Sequence, residues 1–98
     1  MPTMTLLEYL SHWVESERPT LNALGKLHYR VSPDDGRDKP SAHVAVVREG
    51  YSAELIVWSS GEAEFGYGRP EHATFEHREL ESKEDLKLLL VEFLSSLA

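Results

Sequence analysis

Between Ala42 and Tyr67 the chain is divided into three runs of strand character by links of only two residues. Ala42 to Arg48 is followed by Glu49-Gly50, Tyr51 to Ser59 by Ser60-Gly61, and then Ala63, Phe65 and Tyr67 alternate with Glu62, Glu64 and Gly66. A parallel return needs a crossover of a dozen residues or more, so links this short join only antiparallel neighbours. The centre of the fold is therefore a meander. Ahead of it, Leu27, Tyr29 and Val31 alternate with Lys26, His28 and Arg30, the period of a half-buried strand. The position of this fourth strand in the sheet is left open. Pro33 to Pro40, PDDGRDKP, separates it from the meander as a charged, turn-rich loop.

Helical spacing flanks these strands on both sides. Thr5 and Glu8 have the spacing of a capping box, and Leu6, Leu7, Leu10, Trp13 and Val14 then share one helical face, with Glu8, Ser11 and Glu15 opposite. Pro19 disfavours helical geometry at Arg18, which predicts a stop there, with one further turn at Thr20 to Leu24 closed by Gly25. At the other end, Ser82 and Asp85 resemble a second capping box, and Leu86, Leu89, Leu90, Phe93, Leu94 and Leu97 form an apolar stripe. Arg69 to Glu81 is polar and without period, apart from a short extended piece around Ala73 to Glu76. The expected architecture is α+β: an antiparallel four-stranded sheet with the N-terminal and C-terminal helices packed on one face. Residues 1–98 fit a single domain.

Charge removes several classes of function. Ten Lys and Arg stand against seventeen Asp and Glu, a formal net charge of −7. Neutralising nucleic-acid phosphates or docking on an anionic bilayer requires clustered cations, so neither partner is expected. Without cysteine there is no disulfide framework, no Cys-based zinc site and no thiol nucleophile. Met1 to Leu10 holds no Lys or Arg, and Glu8 interrupts its apolar residues, which is not the pattern of a secretory leader. The expectation is a soluble, cytoplasmic protein.

No catalytic constellation emerges, and the chain is not expected to be an enzyme or to need a cofactor. His72 and His77 are five apart beside Glu71 and Glu76, which matches no zinc-binding spacing, and solvated loop histidines are the simpler reading. His12 and His28 read as boundary residues of a helix and a strand. Asp34, Asp35 and Asp38 around Gly36 lack the alternating ligands and closing Glu of a calcium loop. Ser59-Ser60-Gly61 lies at a hairpin, not at a strand-to-helix elbow.

Two features point instead to a protein partner. Residues 1–49 carry six basic and seven acidic side chains, whereas residues 50–98 carry four and ten, with six of those acids between Glu71 and Asp85. Such a face is either simply solvated or directed at a basic protein, where complementary charge speeds encounter. The middle strands are also apolar on both parities: Ala53, Leu55 and Val57 on one, Ile56 and Trp58 on the other, beside Glu54. Either Arg69–Glu81 covers the second face, or that face presents Trp58 and Ile56 to a partner. The candidate contact residues are Trp58, Tyr67, Glu62, Glu64, Glu71, Glu76 and Glu79.

One resemblance spans nearly the whole chain. Ala53-Glu54-Leu55-Ile56-Val57-Trp58 with Gly61-Glu62-Ala63-Glu64, then His77-Arg78-Glu79-Leu80-Glu81-Ser82 opening a Leu-rich helix, is similar to the TriTu family of bacterial immunity proteins, with Tyr9-Leu10 and Trp13 fitting more loosely. These motifs are structural, a hairpin and a helix cap. The resemblance implies a protein that binds its cognate polymorphic toxin, similar to an Rhs ADP-ribosyltransferase delivered by type VI secretion that blocks translation. It further implies inhibition by occluding the toxin's NAD-binding site, in a heterodimer and with no catalytic residues to carry over. A small acidic α+β chain also fits a secretion chaperone or other protein-binding adaptor, which is usually a dimer; a monomeric mass in solution would count against it.

Overall fold

Thr5 begins the first helix by exchanging hydrogen bonds with Glu8: the Glu8 N–H donates to the Thr5 hydroxyl at 3.1 Å and the Thr5 N–H to the Glu8 carboxylate at 2.9 Å. The computed structural model describes residues 4–32 and 39–97; most of the Pro33–Pro40 loop, including Asp34, Asp35 and Asp38, lies outside them. Helix α1 (Leu6–Leu24) runs through Pro19 instead of stopping at Arg18. Proline costs the helix one N–H and crowds the carbonyl four residues back. Pro19 lies on the exposed side, however, and continuing the helix puts Leu21 wholly in the core in line with Leu10 and Val14. Burying a leucine contributes about 1.5–3 kcal/mol, comparable to the cost of the proline.

Five strands follow: β1 (Lys26–Val31), β2 (Ser41–Arg48), β3 (Tyr51–Trp58), β4 (Glu62–Gly68) and β5 (Thr74–Glu79), paired antiparallel in chain order. The sheet is thus five-stranded, and the expected four-stranded meander is one strand short. The missing strand lies in the segment read as aperiodic. Its sequence, TFEHRE, has one apolar residue and so no alternation to detect, yet it pairs along β4 from Tyr67↔Thr74 to Glu62↔Glu79. A short turn of 3-10 helix, Pro70–His72, makes the connection. β1 occupies the opposite edge, with Leu27 against Val46 and Tyr29 against Val44.

Links between the central strands hold the register. Glu49 and Gly50 both take positive φ, 49° and 83°, the two-residue turn that matches strand twist. The β3–β4 link is one residue longer than expected, Ser59 to Gly61. The Gly61 N–H closes it on the Trp58 carbonyl at 2.9 Å, and Gly61 itself has φ 102°.

Helix α2 (Lys83–Leu97) starts at Ser82, whose hydroxyl accepts from the Asp85 N–H, while the Asp85 carboxylate accepts from Glu81 N–H. Its last carbonyls are capped from the sheet: the Tyr51 hydroxyl donates to the Ser96 carbonyl at 2.6 Å and Arg48 to that of Leu97 at 3.3 Å. Both helices lie on one face of the sheet. Leu10, Val14 and Leu21 from α1 and Leu86, Leu89, Leu90 and Phe93 from α2 close over Val44, Val46, Ala53, Leu55, Val57 and Phe65. Trp13 meets Phe93 edge-on, with centroids 6.1 Å apart. Among the described residues, no helix is long and apolar enough to cross a membrane.

Candidate functional site

Strict alternation sorts the sheet residues into two sets, because directly paired residues share a face. One set is the core beneath the helices. The other lies on the face opposite them, which no described helix covers: Lys26, His28 and Arg30 on β1; His43, Ala45 and Val47 on β2; Glu54, Ile56 and Trp58 on β3; Glu62, Glu64 and Gly66 on β4; and Phe75, His77 and Glu79 on β5. Arg69–Glu81 does not fold back over this face. It extends it by one strand, which leaves Ile56 and Trp58 half-buried and open to solvent.

Apolar residues are scattered over this open face, with Val47 and Trp58 toward opposite ends and Phe75 on the edge strand. Phe75 is 68% exposed even though it sits against Gly66, where an added Cβ would approach the ring within 2.7 Å. The glycine makes room for the aromatic ring to lie down on the neighbouring strand. Val47 is exposed as well, and a shallow concavity lined by Arg30, His43, Ile56 and Trp58 opens at the end nearest the Ser59–Gly61 turn.

Charged side chains share this face and are tied to one another. His77 stands between Glu64, 2.9 Å from Nδ1, and Glu79, 2.8 Å from Nε2. The hydrogen bond to Glu79 first, then that to Glu64, raises the imidazole pKa to about 8. Lys39 reaches Glu62 at 2.7 Å and, with the Ser60 hydroxyl, holds that carboxyl below its usual range. His43 and Glu54 meet at 3.2 Å on adjacent strands.

The seven candidate contact residues do not form one patch. Trp58, Glu62, Glu64 and Glu79 share the open face. Tyr67 and Glu76 are on the helix side, where the Tyr67 hydroxyl donates to Glu76 at 3.3 Å and the Tyr67 ring packs 5.0 Å from that of Phe65. Glu71 is on the exposed 3-10 turn between β4 and β5. Sequence reasoning passed over Phe75, His43 and the basic residues of β1; the signal for Phe75 was an isolated aromatic in a polar segment opposite a strand-interior glycine. His72 and His77 do not converge on a metal: among the described residues, no group of three or more His, Cys, Asp or Glu side chains could hold one.

The fold is a small α+β scaffold with helices on one side of the sheet and a charged, partly apolar sheet face open on the other. The sequence profile described as "Immunity protein TriTu" matches residues 8–96, and the chain belongs to that family of immunity proteins. Membership implies a cognate toxin as partner and neutralisation of that toxin as the task; proteins of this class generally act by binding, without catalysis. No curated protein and no solved structure matches the chain.

Proposed function

We propose that this protein neutralises a bacterial ADP-ribosyltransferase toxin, of the Rhs kind delivered by type VI secretion, by laying its open sheet face across the toxin's NAD-binding site. The observation that carries this reading is the uncovered face itself. Trp58, Ile56 and Phe75 offer apolar area, and Glu54, Glu62, Glu64 and Glu79 surround it. A half-buried tryptophan beside ordered polar groups is the usual composition of an interface hot spot. A site that holds the phosphates of NAD is electropositive, so these carboxylates compete for it by charge. The family match supports the toxin partner, and the resemblance in the hairpin and terminal helix supports the toxin class.

The protein acts stoichiometrically, as one half of a heterodimer in the cytoplasm of the toxin-producing cell. Co-expression with the toxin encoded beside its gene tests this: cells survive with the wild-type chain and a complex co-purifies. Cell death with no complex overturns the reading. The electrostatic part has its own test, since the screening length shrinks from about 10 Å at 0.1 M salt to about 3 Å at 1 M. Affinity for the toxin falls as salt rises across that range, and an unchanged affinity removes the charge argument.

A further inference from the structure

Although the chain as a whole is acidic, its open face is not uniformly so. The direct cross-strand row Arg30–His43–Ile56–Glu64–His77 begins on a cation and ends among carboxylates. One row along, His28–Ala45–Glu54–Gly66–Phe75 has Glu54 at its centre and one exposed apolar side chain, Phe75, at its β5 end, and Lys26 stands beside Val47 at the same edge as Arg30. Every basic side chain that β1 contributes to the described part of this face lies at one edge, and Glu62, Glu64 and Glu79 lie at the other. Ion pairing narrows the asymmetry without removing it: Lys39 and His77 bring two cations to the three carboxylates Glu62, Glu64 and Glu79, whereas Lys26 and Arg30 have no carboxylate partner among the described residues.

Resting on the reading of this face as the toxin-binding surface, we infer that the partner's surface is divided in charge, cationic where it meets β4 and β5 and anionic where it meets β1. Such a pattern fixes the direction in which the toxin lies across the strands, because turning it by half a circle sets like charges against each other at both edges. A second copy of this chain would satisfy the same pattern about a two-fold axis; the toxin is the expected occupant, because membership of an immunity-protein family implies that partner, and self-association is an outcome of the test.

The experiment titrates the adjacent-gene toxin, in a catalytically disabled form, with the full chain and two double variants by calorimetry at low salt. Glu64→Lys with Glu79→Lys weakens binding about tenfold or more, and Glu64→Gln with Glu79→Gln repeats the direction should the first variant fold poorly. The deciding arm is Lys26→Glu with Arg30→Glu. A divided partner surface loses about tenfold there as well, whereas a uniformly basic partner binds that variant more tightly. Unchanged or tighter binding by the β1 variant overturns the divided surface and leaves the immunity function intact. Failure of the wild-type chain to bind the toxin overturns the function itself. A wild-type dimer in solution that both double variants dissociate assigns the face to a second copy and overturns the inference too.

Discussion

Arg78 of β5 grips Glu92 of α2 with two parallel hydrogen bonds, 2.7 Å from Nη1 and 2.8 Å from Nη2, and holds Glu76 with the same guanidinium. The pair draws the Glu92 carboxyl below its usual range and pushes the Arg78 pKa up. On the helix side β5 offers Thr74, Glu76 and Arg78, so this clamp takes the place of apolar packing at that edge. A double-mutant cycle with Arg78→Ala and Glu92→Ala yields a coupling of about 1 kcal/mol, the upper end for a partly exposed pair with two-pronged geometry. Chemical denaturation measures it, and hydrogen exchange in the Arg78→Ala variant shows β5 opening before the rest of the sheet. A coupling near zero, with β5 as protected as β4, contradicts the clamp.

His77 makes stability depend on pH in a definite direction. Its folded pKa of about 8 exceeds the ordinary 6.5, so the folded chain holds the proton more tightly than the unfolded one. The contribution is complete below about pH 6.5 and fades as pH rises through about 8. Melting temperatures of the wild type and His77→Gln therefore differ most at pH 6 and converge on the alkaline side. NMR titration of the ring places its midpoint near 8; a midpoint at or below 6.5 refutes the pairing with Glu64 and Glu79.

Gly61 is held at φ 102° in the β3–β4 link, and a Cβ there would stand 2.5 Å from the Leu80 carbonyl oxygen. That carbonyl cannot swing away, because the Leu80 N–H donates to the Gly61 carbonyl at 2.7 Å and Leu80 itself is buried. Gly61→Ala thus combines backbone strain with a backbone clash and destabilises by about 2 kcal/mol or more. Urea denaturation reads this directly. A loss under about 0.5 kcal/mol means the turn rearranges without cost.

Both helix starts and the apolar stripe of α2 are legible in the sequence because capping pairs and helical spacing are local signals. The meander is legible because its links are too short for anything else. β5 is legible only as the short extended piece around Ala73 to Glu76, not as a full strand, since Thr74, Glu76 and Arg78 face the helices and Phe75, His77 and Glu79 face outward, with no contrast in polarity between the sets. The end of α1 at Leu24 and Gly25 agrees with the expected further turn, whereas the expected stop at Arg18 does not occur: Pro19 acts locally, and the burial of Leu21 that outweighs it is tertiary. Parity alone separates Tyr67 from Glu62 and Glu64, as odd and even positions of one strand point to opposite faces. The proximity of His77 to Glu64 depends on a strand the alternation does not reveal, so that part of the site needed the fold.

Tyr29 is the one core-facing side chain whose polar atom is buried with no hydrogen-bond partner among the described residues. It lies on the helix side of β1, paired with the wholly buried Val44. A buried hydroxyl with no acceptor or donor costs about 1–3 kcal/mol relative to leaving it in water, and phenylalanine keeps the ring without that cost. Tyr29→Phe therefore stabilises the protein by about 1 kcal/mol, an unusual sign for a substitution at a half-buried core position. Tyr29→Leu separates the ring from the hydroxyl: it loses aromatic packing and is less stable than Tyr29→Phe. Equilibrium urea denaturation of the three proteins orders them. A loss of stability in Tyr29→Phe means that the hydroxyl is hydrogen-bonded in solution, and a water-filled niche beside β1 then replaces a dry one.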